Sequence, residues 1–139
     1  MHLLMLRNVI AVIFAFLLFT GPVSAQNGPF YYYCGYGAGL SDAYVTGIFS
    51  VSYENRYEIK PQTEAFVRDL NSSFDLHPHL KEFTGDPNCF SKRSAKEAEE
   101  ARLAMLKALA GRNIAVYDTK WTPLQGIQET QPYYVPKDG

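Results

Sequence analysis

A single pair of cysteines is the sequence feature that most constrains how this chain can fold. Cys34 and Cys89 are the only cysteines among 139 residues, so one disulfide can form, and it closes a loop of 55 residues. The chain-entropy model gives such a cross-link a stabilisation of about 4 kcal/mol, a large part of the roughly 5–15 kcal/mol typical of a domain. The alternative, a redox or nucleophilic thiol, is favoured by a C-x-x-C pair or an electropositive setting. No C-x-x-C pair is present, and we predict a structural disulfide.

The disulfide prediction depends on export, which the first residues indicate. Residues 1–25 have the three parts of a secretory signal peptide: Arg7, an unbroken apolar run at 9–19, and small residues that end at Ala25. The run is shorter than the roughly 20 residues of a membrane-spanning helix, which favours a signal peptide over a membrane anchor. We predict cleavage after Ala25, an exported product in the periplasm or outside the cell, and no membrane span after cleavage. Both cysteines lie in the exported part, where disulfides persist.

The composition excludes two classes of protein. The chain has 13 Lys and Arg against 14 Asp and Glu, so it lacks the basic field that non-specific nucleic-acid binding requires. Its hydrophobic content of 47% is too high for a fully disordered chain. We therefore expect one folded domain without a nucleic-acid partner.

Residue patterns predict four strands and two helices. Two early segments are rich in aromatic and β-branched residues, and the glycines between them indicate an antiparallel hairpin. Ser94 and Glu97 have the spacing of a capping box, in which the Ser94 side chain caps the helix and Glu97 reaches back to the Ser94 N–H. The predicted elements are strands at 30–36 and 44–52, a helix from Pro61 that ends at 71–73, a short strand at 89–90, a helix from Ser94 to Ala110, and a strand at 113–121.

This element order predicts an α+β fold. Two helices can cover one face of a small sheet, so we expect a two-layer sandwich with a small, mostly antiparallel sheet and both helices packed on one face. The domain organisation is a signal peptide at 1–25, a single α+β domain at 26–121 and an extended C-terminal tail at 122–139. The other face of the sheet is expected to be open to solvent or covered by the tail.

The open face of the sheet is predicted to carry aromatic rings. On the last strand, Ile114 and Val116 are expected to face the helices, which sends the rings at 117 and 121 to the other face. On the first strand, a disulfide and a Phe suit the core, which leaves two tyrosines open. Such a face suits a protein or glycan partner, because rings offer a large contact area at low entropic cost; the alternative is that the rings only fill space. The predicted binding residues are Tyr31, Tyr33, Tyr117 and Trp121.

Two histidines offer a second kind of site. His77 and His79 project to the same side of an extended segment, and with Asp75 or Glu82 they make a three-ligand zinc site that keeps an open position. The alternative is a polar surface turn around Pro78. The spacing matches no H-E-x-x-H motif, so we predict no cofactor and keep the metal site as the less favoured hypothesis.

Other catalytic motifs do not fit the chain. Residues 34–39 are rich in glycine, but they lead into a second strand, whereas a dinucleotide-binding loop leads into a helix. The G-x-S-x-G motif of serine hydrolases does not occur. We therefore predict that the protein is not an enzyme.

The chain resembles a set of small exported bacterial proteins that have no assigned function. The similarity runs from the first predicted strand to the last. None of the matching features is catalytic, so the resemblance implies export, the disulfide and the fold, and no activity. The features are the aromatic run before Cys34, the sequence Y-V-T-G-I-F at 44–49, Cys89-Phe90, Glu97-Ala98-Glu99 and Trp121-Thr122-Pro123.

Residues 90–121 are similar to the second half of a sporulation-related repeat (SPOR) domain, in which a strand, an E-A-E-type helix and a strand recur. That family is a small α+β domain that binds denuded peptidoglycan glycan strands on its sheet face. The present chain begins with two consecutive strands, where the family has a strand and then a helix. The resemblance therefore implies only a binding face for the cell envelope.

These patterns together predict an exported, non-enzymatic binding protein of the bacterial cell envelope that engages a protein or glycan partner through an aromatic sheet face. Two alternatives stay open. One is a periplasmic inhibitor or immunity-type protein, and the other is a small zinc-dependent hydrolase that uses His77 and His79.

Overall fold

The computed structural model describes residues 27–37, 42–76 and 85–134. The predicted signal peptide, the two histidines at 77 and 79 and the last five residues of the predicted tail lie outside these ranges. Within the ranges, no helix is long and apolar enough to cross a membrane.

The described residues form one open sheet of five strands with two helices, which confirms the α+β prediction. Three of the strand pairings are antiparallel and one is parallel, as expected for a mostly antiparallel sheet. The elements are β1 (Phe30–Tyr36), β2 (Asp42–Val45), β3 (Phe49–Val51), a short 3-10 turn (Tyr53–Asn55), α1 (Lys60–Ser73), β4 (Asn88–Lys92), α2 (Ala95–Ala110) and β5 (Ala115–Asp118).

Strand β1 lies at the centre of the sheet. One of its edges pairs with β4 over residues 31–35. Its other edge pairs with β3 near the start of β1 and with β2 near the end. Strand β5 then lies parallel to β2 on the far side. The aromatic run of β1 is therefore enclosed by strands on both edges, and Tyr32, Tyr33 and Cys34 are buried.

A β-bulge separates β2 from β3. Tyr32 faces Phe49, whereas Gly35 faces Val45, so two residues of β1 lie opposite the three residues 46–48. The extra residue changes which side chains share a face. The predicted strand at 44–52 is thus two short strands. Even-numbered and odd-numbered side chains exchange faces of the sheet at the bulge.

The two helices pack against opposite faces of the sheet. Neighbouring residues of a strand point to opposite faces, and the buried side chains of β2 divide accordingly between two apolar clusters. The first cluster contains α1 and the second contains α2, so the expected two-layer arrangement becomes a sheet covered on both sides. The first cluster includes Tyr32, Cys34, Tyr44, Phe49, Phe66, Leu70 and Trp121; the second includes Ala43, Val45, Leu106, Leu109 and Val116.

The residue pattern of the helices does not reveal this arrangement. Spacing identifies the apolar side of each helix, but it carries no information about the face of the sheet that the side contacts. Both faces of the sheet are apolar, because Tyr44 lies between the apolar Ala43 and Val45 on a strand that is buried on both sides. Each face therefore needs its own cover.

The chain after β5 follows the outer edge of that strand. The N–H groups of Gln128 and Glu129 donate to the carbonyl of Thr119 at 3.0 and 3.1 Å, and the Tyr133 N–H donates to the carbonyl of Val116 at 2.6 Å. Residues 122–126 form a turn closed by a bridge between Thr122 and Gly126. The described part of this segment is thus held against the sheet by backbone hydrogen bonds.

The predicted disulfide between Cys34 and Cys89 is present. The two residues face each other across β1 and β4, with their Cα atoms 4.0 Å apart. The bond therefore fastens β4, which leads into α2, to the central strand. The prediction of a structural disulfide, rather than a redox or nucleophilic thiol, is confirmed.

We predict that removing this cross-link destabilises the protein by about 4 kcal/mol, because the 55-residue loop is no longer closed in the unfolded chain. The measurement is urea denaturation of the oxidised protein against the double variant Cys34→Ala, Cys89→Ala. The oxidised native protein should show no reactive thiol before or after unfolding. Two reactive thiols, or equal unfolding free energies, would contradict the prediction.

Ser94 caps α2 as predicted, and its side-chain oxygen accepts a hydrogen bond from the Glu97 N–H at 3.2 Å. The second half of the capping box is not formed: among the described residues, no hydrogen bond joins the Glu97 carboxylate to the Ser94 N–H. Glu97 still lies in the first turn, where a negative charge stabilises the helix dipole.

Replacing Ser94 by Ala is expected to lower the unfolding free energy by about 1 kcal/mol, because one N–H of the first turn loses its acceptor. Ser73→Ala is the matched control, since Ser73 is exposed at the end of α1. Denaturation midpoints of both variants test the cap. Equal midpoints for Ser94→Ala and the wild type would show that the cap contributes nothing.

Candidate binding surface

Two of the predicted binding residues lie on the α1 face of the sheet. Trp121 is only 1% exposed; its ring packs against Phe49 and Phe66, and its Nε1 donates to an Asp69 carboxylate oxygen at 2.8 Å. Tyr117 is half-buried beneath Phe74. Tyr117 and Trp121 therefore share one face of the sheet, as predicted, but α1 covers this face, which was expected to be open.

The other two predicted binding residues lie on the α2 face. Gly35 marks this face, because a Cβ added there would lie 3.4 Å from the end of the Met105 side chain, and strand alternation places Tyr31 and Tyr33 on the same side. Tyr33 is 6% exposed and stacks on Phe90, with the ring centroids 5.4 Å apart. Burial raises the pKa of Tyr33.

The four predicted residues thus do not share an open face. The sheet separates one pair from the other, and Tyr33 and Trp121 are buried in the fold. The prediction assumed that both helices lie on one side of the sheet and leave the other side open. Because a helix covers each side, no open aromatic sheet face is left for these four residues.

A different group of rings lies at the surface, near the start of β1. Phe30 stacks on Tyr53 with centroids 6.2 Å apart and an angle of 25° between the rings, and Tyr57 lies 6.5 Å from Phe30. The Arg56 guanidinium lies 3.9 Å from the Tyr53 centroid, and the Arg93 guanidinium lies 4.4 Å from that of Phe30. We call these five residues the aromatic–guanidinium cluster.

The turn that carries most of the cluster is anchored to the core. The hydroxyl of Tyr32, a buried residue of β1, donates to the carbonyl of Arg56. The Arg56 Nη1 donates to the carbonyl of Tyr53 at 2.6 Å. Arg93, directly after β4, also contacts the carbonyl of Gly28 at 3.5 Å. Three separate segments of the chain therefore converge on the cluster and fix the positions of its rings.

The cluster offers an amphipathic surface to a partner. Tyr57 is 80% exposed, whereas Phe30 and Tyr53 are half-buried. Phe30 lies against the Tyr57 ring, and the Arg56 guanidinium lies over both tyrosines. Rings provide apolar contact area and guanidinium groups provide charge and several hydrogen-bond donors. Exposed Arg and Tyr side chains of this kind are characteristic of protein-binding surfaces.

The sequence analysis missed this cluster because residues 53–60 lie between the predicted strand at 44–52 and the predicted helix from Pro61, where no element was predicted. The usable signal was the pattern Tyr53, Arg56, Tyr57, in which two rings flank an arginine in a short turn. Phe30 and Arg93 come from distant parts of the sequence, and only strand pairing brings them to the same place.

A buried arginine serves the fold rather than this surface. Arg102, on α2, binds Asp118 at 2.7 Å and both carboxylate oxygens of Glu99 at 3.0 and 2.8 Å. Burial alone lowers the pKa of Arg102, but the hydrogen bonds and charges of Glu99 and Asp118 outweigh it, so the pKa is raised. Its charge is therefore retained and fully paired, and the group ties α2 to the end of β5.

The zinc hypothesis falls on residues outside the described part of the chain, where His77 and His79 lie. In the described ranges, no group of three His, Cys, Asp or Glu side chains is arranged to hold a metal ion.

We predict that Trp121→Ala lowers the unfolding free energy by about 3–5 kcal/mol, because it leaves a cavity beneath α1. Tyr134→Ala is the control: this ring is 75% exposed, so its loss should change stability by about 0.5 kcal/mol or less. Urea denaturation of both variants checks the assignment of Trp121 to the core. A Trp121→Ala variant as stable as the control would place this residue at the surface, as the sequence suggested.

Comparisons with known proteins do not add a family to this description. The chain matches no family model, and neither the curated proteins nor the solved structures contain a match. The function of the protein is therefore inferred from its own geometry.

Proposed function

We propose that this chain is an exported, non-enzymatic binding protein of the bacterial cell envelope, and that a protein partner docks on the aromatic–guanidinium cluster. One observation carries the proposal: three aromatic rings and two guanidinium groups lie against one another at the surface, and Tyr57 is the most exposed of the rings. This surface replaces the sheet face that the sequence suggested.

Export is supported by two independent features. The first 25 residues have the pattern of a signal peptide. The disulfide between Cys34 and Cys89 belongs to a class of bond that persists in oxidising compartments. A periplasmic or secreted location is consistent with both.

The cluster is suited to binding because its side chains are ordered before a partner arrives. Immobilising a long side chain on association costs about 0.5–1.5 kcal/mol, and the Arg56 side chain is already held by the Tyr53 ring and carbonyl. Tyr57 adds a large exposed ring next to the same guanidinium, at 4.9 Å. A partner therefore gains contact area and charge without ordering this surface.

The chemistry of the cluster favours a protein segment that carries a carboxylate beside an apolar side chain. Carboxylates form strong, charge-assisted hydrogen bonds with guanidinium groups, and apolar side chains pack well on exposed rings. A role for this chain as an inhibitor or immunity-type protein is compatible with such a partner, since a protein of that kind also acts by covering a protein surface. The experiment below distinguishes a protein partner from a glycan that stacks on the rings.

The experiment is capture from an envelope extract of the source cells by immobilised wild type, Tyr57→Ala and Tyr134→Ala. Tyr57→Ala should reduce capture about tenfold or more, because hot-spot tyrosines contribute at least roughly 2 kcal/mol. Tyr134→Ala removes a ring of similar exposure outside the cluster and should bind as the wild type does. Both variants should keep the wild-type melting temperature.

Two further arms identify the kind of partner. Protease treatment of the extract should abolish capture if the partner is a protein, whereas digestion by a wall hydrolase should abolish it if the partner is a glycan. Equal capture by Tyr57→Ala and the wild type, at equal stability, would mean that the cluster is not the binding surface.

A further inference from the structure

The outer edge of β4 is a surface separate from the aromatic–guanidinium cluster. In the described part of the chain, β4 pairs with β1 alone, so its other edge presents backbone groups without a strand partner. At the middle of this edge lies Phe90, which is 47% exposed even though it stacks on Tyr33.

The direction of the free backbone groups follows from the disulfide pair. The N–H and the carbonyl of Cys34 are both directed to Thr46, on the side of β1 away from β4. Cys34 and Cys89 are therefore a pair that does not exchange hydrogen bonds, and the backbone groups of Cys89 point away from β1. By alternation, Ser91 also directs its N–H and carbonyl to the outer edge.

We propose that two copies of this chain associate through β4, in antiparallel orientation, to form one continuous sheet. The outward residues Cys89 and Ser91 lie symmetrically about Phe90, so a twofold axis at Phe90 pairs Cys89 with Ser91 of the partner subunit. Each such pair exchanges two backbone hydrogen bonds, as antiparallel strands do. A twofold axis requires a self-complementary surface of this kind.

The side chains of the edge suit this register. Phe90 meets the partner's Phe90 across the axis, which removes two half-exposed rings from water. The exposed Lys92 lies opposite Asn88 of the partner subunit rather than a like charge. The partner's Asp86 is two residues further along the same edge. Pro87 lacks an N–H, so hydrogen bonding cannot extend fully in that direction.

A second copy fits this edge better than an unrelated extended peptide. Edge strands that resist pairing often carry a charged side chain on the edge, whereas β4 has Phe90 at its middle and its one charged residue, Lys92, at an end. The formal net charge is −1 for the whole chain and −2 after the predicted cleavage removes Arg7, so repulsion between copies is weak.

The first test is the molecular mass of the oxidised protein by sedimentation velocity over a hundredfold range of concentration. We expect a concentration-dependent dimer. Ser91→Pro removes the outward N–H but leaves the ladder with β1 intact, and should weaken dimerisation about tenfold or more. Ser91→Ala, which keeps the N–H, is the matched control and should dimerise as the wild type does.

Phe90→Lys is a second variant that tests the same edge if Ser91→Pro does not fold. It places like charges opposite each other across the axis, which disfavours pairing, and should give a monomer. A wild type that is monomeric at every concentration overturns the proposal. A dimer that persists in a folded Ser91→Pro or Phe90→Lys variant overturns it as well.

The register is tested by cross-linking under mild oxidation. In Phe90→Cys, the two new thiols face each other on the axis, where facing residues have Cα atoms about 4.5 Å apart, within the range of a disulfide. In the control Lys92→Cys, the new thiols are about 13 Å apart along the edge and cannot bond. Covalent dimer from the first variant alone supports the proposal, and equal yields from both overturn it.

Discussion

The bulge at Thr46 is the constraint on which the rest of the structure depends. A bulge interrupts the ladder and exposes backbone groups, and each one left unpaired in the interior costs about 1–3 kcal/mol. Here the Thr46 hydroxyl accepts the Cys34 N–H at 2.9 Å, and the Gly47 N–H donates to the Trp121 carbonyl at 2.8 Å. A Cβ at Gly47 would lie 3.1 Å from the carbonyl oxygen of Lys120, so the close approach of the two segments favours glycine. The bulge thus joins β1, β2 and the end of β5 at one fully buried point.

The same bulge determines which side chains enter each core. Tyr44 and Phe49 are an odd number of residues apart, and in a regular strand they would point to opposite faces; with one extra residue between them, both lie in the α1 cluster. Val45, adjacent to Tyr44, enters the α2 cluster instead. Burial and the neighbouring Asp42 carboxylate raise the pKa of Tyr44, as expected for a ring deep in the first cluster. Both faces of the sheet are therefore apolar, and the fold needs one helix on each.

Local signals in the sequence predicted the parts of the fold that depend on local physics. The aromatic strand at Phe30–Tyr36 and the cap at Ser94 depend on residues that are close in the sequence. The disulfide was predictable because two cysteines have only one possible pairing. The side chains that each helix covers depend on a one-residue shift at Thr46, which the residue pattern of the predicted strand at 44–52 does not reveal. Arg102 is buried because Glu99 and the distant Asp118 together pair its charge, and the sequence does not place Asp118 beside it. The surface cluster was missed for the same reason, because Phe30 and Arg93 meet only through the pairing of β1 with β4.

Strand β1 links the two surfaces that we propose as binding sites. Phe30, at its start, is a member of the aromatic–guanidinium cluster, and Tyr32 holds the turn of that cluster through the Arg56 carbonyl. Cys34, two residues further, directs its backbone to Thr46 and its sulfur to Cys89, and so orients the free edge of β4. These three residues share one face of the strand and lie in or against the α1 core. The packing that stabilises the fold therefore also fixes the relative positions of the residues that form both proposed surfaces.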